Sequence, residues 1–597
     1  MRGDFMGRYA KIMFKMTKGH RGLYLFGFFL TFLGVVFSLT SIYVNKILID
    51  VLNGDAPAGK IAIFITNNIM GGQDFLRQNI WIFALSIIGI TTGMALIQTS
   101  KNIVQASVNT SIMKEMQLKL FYHIERLPYP KLKTMKNGDL IQTCTRDEEV
   151  LRNFVIGQIN MIVYTFCIVV LSFLILLTVN VTIAVTSIII LPVLSIYSFF
   201  LIKEVRKRYR KTDDSESRMT SKIEENLSAV RVVKAYNNEK YEIEDFEKYL
   251  ADYETKFIRW RKTSSFYFAS SDILVFGQIV LSLLTGIYLG TQGKMNIGDL
   301  YLAVTFTSMI VWPVRQVAQI LSNLAQAIVS MDRMDLILNE PLEDITTGLT
   351  PNIQGDFVFD GTGFQYSDGN EEVLHDINLH VHAGETIAVM GKTGSGKSTF
   401  VNLLTRLYDY TEGHILLDGV ELKDIQKEYL RRNIASVLQE PFLFSKTIIN
   451  NLKMANKNAS EKEILRATTI ADIHNTILSF EQGYDTPVGE KGVTLSGGQK
   501  QRLAIARTII NDVPILIFDD SLSAVDTETD LNIRSALKSR AKNTTTVIVT
   551  HRVATAKDAD RIIVFENGTI TQCGTHDELV NKDGLYKRVY DIQTRII

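Results

Sequence analysis

The sequence predicts a multidomain membrane protein: a six-helix all-α transmembrane domain followed by an α/β domain. Three observations carry that prediction. Long apolar runs crowd the first half of the chain, and basic residues gather at their ends. The second half changes to short apolar runs punctuated by glycine. Averages over the 597 residues, 46% hydrophobic with a formal net charge of +1, conceal this division. The near-zero charge gives no bulk-charge argument for a nucleic-acid partner. Cys144, Cys167 and Cys573 are too scattered for a metal cluster or a disulfide framework, and read as ordinary thiols.

The N-terminus carries Arg2, Arg8, Lys11, Lys15, Lys18 and Arg21 against one acid, Asp4. The first apolar run, from about Leu23 to Ile49, exceeds the roughly 20 residues that cross a bilayer. Its length and its lack of a small-residue cleavage pattern set aside a cleavable signal peptide. Its basic flank belongs in the cytoplasm. A moderately polar loop leads to a second run, Ile80 to Ile97, whose helical pattern turns polar and continues to about Arg126. Runs at about Phe154–Thr178 and Val181–Ile202 are separated by a few residues around Asn180, which reads as a tight outer hairpin. The second of these ends on a strongly basic stretch, Lys203 to Lys211, again a cytoplasmic flank. After a charged helical stretch to Lys262 come two last runs, about Ile273–Gly290 and Leu300–Leu321. Six crossings with both ends inside is the simplest topology. Lys46 and Asp50 are one helical turn apart and permit an i,i+4 pair. Asp272 and Arg315 lie near the ends of the last two runs, where snorkelling or pairing is expected. Gln319, Asn323 and Gln326 are placed either to line a cavity or to mediate helix contact. Residues 1–335 form this domain, and 336–355, with Pro341, Gly348 and Pro351, form a linker.

Residues 356–597 read as the α/β domain. Asp356–Asp360 and the segment near Phe364-Gln365-Tyr366 look like strands leading to a third, Ile387-Ala388-Val389-Met390. Gly391-Lys392-Thr393-Gly394-Ser395-Gly396-Lys397-Ser398-Thr399 follows and opens a helix at Phe400. This is a P-loop: its glycines let backbone N–H groups wrap a polyphosphate at a helix N-terminus. Lys397 would reach the β- and γ-phosphates, and the Ser398 hydroxyl would sit on Mg²⁺. Ile415–Leu417 reads as a further strand. Ile515-Leu516-Ile517-Phe518-Asp519 is a buried parallel strand ending in a carboxylate, where an open α/β sheet places ligand groups. Asp519 would complete the metal site. Val547-Ile548-Val549-Thr550 delivers His551 in the same way, and Asn567-Gly568 marks a hairpin. Leu495-Ser496-Gly497-Gly498-Gln499 opens another helix and is a second phosphate-binding device. One nucleotide does not need both devices from one subunit. A head-to-tail dimer, with each nucleotide between one chain's P-loop and the other's Ser-Gly-Gly, accounts for them.

Leu495–Gln499 resembles the signature of the ATP-binding cassette (ABC) family, and the motif order is similar to that family's nucleotide-binding domain throughout. The resemblance implies that Tyr366 stacks on adenine and that Gln439 senses Mg²⁺ and couples to the membrane domain. It implies that Glu490 belongs to the loop preceding the signature. It also implies that Asp526, within Ser523-Ala524-Val525-Asp526, links two sites and that His551 contacts the γ-phosphate. Gly138-Asp139-Leu140 with Asp147, and Glu225 through Tyr236, resemble the family's cytoplasmic loops and coupling helices. A membrane domain first and a cassette second is the arrangement of exporter half-transporters. The resemblance therefore implies an ATPase that uses ATP and Mg²⁺ to drive export by alternating access, in a multi-pass protein of a bacterial inner membrane with its cassette cytoplasmic. Amphiphilic drugs, lipids and peptides all fit as cargo, with multidrug export the family's default. No Cys/His peptidase-like segment is read before the first run, which sets aside a leader-processing peptide exporter.

One position departs from the family pattern. After Asp519 the family usually has a glutamate that polarises the attacking water, and here the residue is Asp520. Its carboxylate falls back by on the order of 1 Å, a displacement that can cost roughly a hundredfold in rate. This resembles the weak-site half of a heterodimeric exporter, with Lys397, Asp519 and Asp520 in a slow site and Ser496-Gly497-Gly498 completing the partner's competent one. A homodimer working with aspartate, a nucleotide-gated channel or sensor on the same scaffold, and a soluble signature-bearing ATPase are the competing expectations.

Overall fold

The computed structural model describes residues 16–55, 60–68, 72–367, 369, 371–489, 492, 494–521, 527–540 and 544–595. Arg2, Asp4, Arg8, Lys11 and Lys15 lie outside the described residues. Contacts divide the chain into two units, one of residues 1–125 and 135–340, the other of residues 126–134 and 341–597.

Six helices of the first unit are long and apolar enough to cross a membrane: Arg21–Asn53, Trp81–Glu125, Asn137–Val179, Val181–Ser228, Glu239–Thr291 and Ile297–Gln316. They coincide with the six apolar runs of the sequence. Polar extensions carry several of them well beyond bilayer thickness. The fifth helix has 53 residues, about 80 Å at 1.5 Å rise per residue. Asn180 makes the hairpin between the third and fourth spans, and its side chain accepts the Thr182 N–H at 2.8 Å. The sixth helix tolerates Pro313 in its interior and runs on to Leu338, past the expected end of its domain at 335.

Several polar groups within these spans are paired across helices, which a hydrocarbon surround favours. The fourth span breaks at Ile189–Ile190, ahead of Pro192. There the buried Gln278 of the fifth span accepts the Ile190 N–H at 2.9 Å and donates to the Thr186 carbonyl. Thr307 donates at 3.0 Å to Ser187 or Ser282, so three buried hydroxyls join the last three spans. Lys46 is fully buried, and its Nζ lies 2.6 Å from Asp299 Oδ1. The ion-pair partner thus comes from the sixth span. The Asp50 carboxylate, also fully buried, packs on Gly298 so closely that a Cβ there would lie 2.0 Å from Oδ1. Asp272 and Arg315 do pair, and the Arg315 guanidinium lies 5.1 Å from the Phe268 ring and 5.0 Å from that of Trp312.

The second unit has two sheets. The antiparallel one contains β1 (Phe357–Gln365), β2 (Glu372–Val381), β4 (Glu412–Leu417) and β5 (Val420–Glu421), in the order β2-β1-β4-β5. The two short strands expected before the P-loop are one strand, β1, irregular in register after Phe359. The other sheet contains β3 (Thr386–Gly391), β6 (Ile434–Val437), β7 (Ile515–Asp519), β8 (Thr545–Val549), β9 (Arg561–Glu566) and β10 (Thr569–Gly574). Its order is β10-β9-β3-β8-β7-β6, parallel except for the β9–β10 hairpin around Asn567-Gly568. Strands β2 and β6 carry no strong sequence signal: β2 is interrupted by His375 and Asp376, and β6 is only four residues long. Phe357, Ile387, Phe400, Ile517 and Phe565 are buried in the core beneath both sheets.

Removing Lys46 strands two buried carboxylates, Asp50 and Asp299. Lys46→Met is expected to cost about 3–5 kcal/mol, read as a lower midpoint of thermal unfolding in one detergent. An unchanged midpoint would show that the pair contributes nothing to stability.

Candidate functional site

The site forms at the C-terminal edge of the parallel sheet, where four neighbouring strands each release a loop. Strand β3 ends in the P-loop and β8 in Thr550-His551. Next to them β7 ends in Asp519-Asp520, and β6 leads to Gln439. Groups at 391, 439, 519 and 551 in the chain thereby line one cavity of about 630 Å³. Gly391, Thr393, Gly394, Gly396, Ser398 and Thr399 line it with Lys397.

Two P-loop glycines are dictated by space. A Cβ on Gly391 would lie 2.4 Å from the Phe565 carbonyl oxygen, and one on Gly396, at φ +101°, would lie 2.6 Å from Leu374 Cδ2. Gly396 caps the helix Lys397–Leu404, whose first N–H groups have no partner within the helix. Ser395 is buried behind the loop rather than in the cavity lining. Lys397 Nζ donates to the carbonyls of Gly391 and Lys392, both at 2.8 Å. The ammonium is therefore held over the loop by carbonyls that a phosphate oxygen would outcompete in charge.

Electrostatics mark the same place. Burial lowers the pKa of Lys397, and the carboxylates of Asp520 and Asp519 oppose that shift. Burial raises Asp519, the adjacent Asp520 raises it further, and Lys397 offsets this in part. Two neighbouring carboxylates beside one lysine form a site short of positive charge. Ser398, Gln439 and Asp519 supply hard oxygen donors in that cavity, a set that suits Mg²⁺. Asp520 has a left-handed backbone, φ +46°. Its Oδ1 lies 2.9 Å from His551 Nδ1.

Tyr366 stands at the end of β1, with its hydroxyl 2.9 Å from Thr399 Oγ1 and its ring edge-on to Phe364 and Tyr408. Lys133 Nζ lies 5.1 Å from the centre of the same ring. The sequence offered no sign of this lysine. It belongs to the short helix Tyr129–Thr134, which packs with the second unit through Tyr129 against Tyr408 at 5.6 Å.

Ser496 caps the helix Gly497–Ile509 in a reciprocal box with Gln499: Gln499 N–H donates to Ser496 Oγ at 3.3 Å and Ser496 N–H to Gln499 Oε1 at 2.9 Å. Neither these residues nor Gly497 and Gly498 line the cavity of their own chain. Glu490 and Ser523 through Asp526 lie outside the described residues.

Residues 24–314 match the family described as the ABC transporter transmembrane region, and residues 374–523 match the family described as ABC transporter. YknU of Bacillus subtilis, an uncharacterized ABC transporter ATP-binding protein, is 35% identical over 80% of this chain and 82% of its own length. YgaD of the same organism, named for multidrug export, is 34% identical over 81% of this chain and 84% of its own. A Staphylococcus aureus permease, also named for multidrug export, is 35% identical over 81% of this chain and 84% of its own. The structure of a bacterial Atm1-family ABC exporter with ATP bound superposes with a TM-score of 0.79 at 25% identity, covering 96% of this chain and 99% of that one.

Were adenine to stack on Tyr366, Tyr366→Ala would weaken binding of a fluorescent ATP analogue about five- to tenfold, and Tyr366→Phe much less. Lys133→Ala should change the same affinity without altering affinity for inorganic triphosphate. Native Asp519 keeps its proton to higher pH than the unfolded chain does. Its contribution to stability is therefore present in acid and lost as the pH rises through the native value. Asp519→Asn should accordingly raise the unfolding midpoint of nucleotide-free protein at neutral pH and flatten its acid dependence.

Proposed function

The chain belongs to the ABC transporter family as an exporter half-transporter, an ATPase coupled to transport, and on that premise we propose that it exports an amphiphilic substrate as one half of a heterodimer. The observation that carries the heterodimer is the carboxylate after Asp519. Asp520 is short by one methylene, and it is drawn to His551 at 2.9 Å. On this reading, Lys397, the P-loop amides and Tyr366 hold ATP. Ser398, Gln439 and Asp519 would hold Mg²⁺, which neutralises phosphate charge when bound. Asp520 then polarises water poorly, so this chain's own site turns over slowly.

Dimerisation is supported by the place of Ser496-Gly497-Gly498. This helix N-terminus lies outside the cavity of its own chain and is free to close a partner's nucleotide. Two exposed apolar surfaces suit a partner as well. The short helix Val230–Ala235 presents Val232 beside exposed Leu227 and Tyr236, and a groove in the second unit exposes Phe442, Phe444 and Met454. Nucleotide contacts available only between closed cassettes would shift the population toward closure and alternate the access of the spans. Gln319 and Asn323 line a cavity of about 320 Å³ with Arg315, Trp312 and Gln158, a mostly apolar wall with a few polar groups, as amphiphilic cargo requires. The relatives named for multidrug export favour the same cargo class and a bacterial plasma membrane.

One observation favours a homodimer that works with aspartate. The left-handed backbone of Asp520 re-aims its carboxylate, and His551 is close enough to share the work.

ATP turnover of this chain alone in lipid, beside Asp520→Glu, separates the two. The heterodimer reading expects near-zero wild-type turnover and a gain of about ten- to a hundredfold with glutamate. Brisk wild-type turnover would overturn it in favour of the homodimer. Concentrative uptake of an amphiphilic dye into inside-out vesicles tests export itself, and passive equilibration alone would identify a channel.

A further inference from the structure

At the opposite end of β1 from Tyr366, His380 and His382 stand two residues apart on β2 and its continuation. They flank Val381, which is buried, so the pleat puts both imidazoles on the exposed face. Phe357 pairs with Val381, which brings Asp356 alongside them from the neighbouring strand. His380 Nε2 lies 3.0 Å from both Asp356 carboxylate oxygens, and His382 Nδ1 lies 3.7 Å from Oδ2. One ligand atom from each residue falls within 4.8 Å of the other two. Ligands about 2.0–2.2 Å from a tetrahedral zinc are separated by roughly 3.3–3.6 Å, so small side-chain adjustments would seat an ion.

The backbone of both histidines is held from behind. Glu385 Oε2 accepts the His382 N–H at 2.8 Å, and Arg561 donates to the His380 carbonyl. Arg561 and Glu385 are themselves paired at 2.8 Å, so the guanidinium beside the cluster is neutralised. These contacts fix the backbone from which both imidazoles project. None of the three residues lines the nucleotide cavity.

We propose that Asp356, His380 and His382 form a binding site for a borderline divalent transition ion, Zn²⁺ above all, distinct from the Mg²⁺ that accompanies ATP. Two imidazoles and one carboxylate select zinc, nickel, cobalt or copper over Mg²⁺ and Ca²⁺, which take oxygen donors. Three protein ligands leave a position for water. A bound ion ties the point where the linker enters β1 to the end of β2, and so stabilises the antiparallel sheet that carries Tyr366.

The test uses the full chain, purified in detergent without a polyhistidine tag, with Zn²⁺ competed against a chromogenic chelator. Wild type is expected to hold one equivalent, weakened at least tenfold in His380→Ala, His382→Ala and Asp356→Asn, while each variant keeps wild-type affinity for the ATP analogue. Zinc should also raise the unfolding midpoint of wild type and not that of the double histidine variant. Equal zinc uptake by wild type and the double variant would overturn the site. Co²⁺ titration of wild type alone stands independent of how the variants fold: a visible absorption saturating at one equivalent supports the site, and its absence overturns it.

Discussion

Pairing of β3 between β9 and β8 is the constraint on which the nucleotide half depends. A parallel strand buried on both faces must be apolar along its length, and Ile387, Ala388, Val389 and Met390 are all buried. Once β3 is central, its loop emerges at the C-terminal edge beside those of β8 and β7, and the helix after Gly396 points its unpaired N–H groups into the same space. The close approach of Gly391 to Phe565 is a consequence of that pairing, and any side chain there would push β9 away. The phosphate site is therefore a property of the sheet as much as of the loop.

The same edge concentrates charge that the fold alone would not choose. Asp519 and Asp520 are adjacent, Asp519 is half-buried, and Lys397 is spent partly on loop carbonyls. Such a site is least stable when empty and gains most when a cation and a polyphosphate enter together. Differential stability of this kind is what lets nucleotide drive a conformational equilibrium.

Within the spans the governing rule is satisfaction of polar groups without water. Gln278 repairs the helix break ahead of Pro192, Thr307 joins two serines, and Lys46 answers Asp299 on another helix. Each of these unites helices that apolar packing alone would leave free to slide, because lipid is as apolar as leucine.

Much of this was legible in the sequence where the signal is local. Six runs of bilayer length, the Asn567-Gly568 hairpin, the P-loop and the Ser496 cap each rest on contiguous residues whose periodicity or backbone freedom decides their form. Asp520 in place of glutamate was equally visible, since a single side chain carries it. Tertiary structure alone decided what depends on neighbours distant in sequence. It placed β8 and β7 between β3 and β6, so that His551 and Asp519 stand between the P-loop and Gln439. It set Lys133 against Tyr366, Asp299 against Lys46, and Asp356 against His380 and His382. Strand order and cross-helix pairing follow from which surfaces bury best together, and that choice is made by the whole chain and by no segment of it.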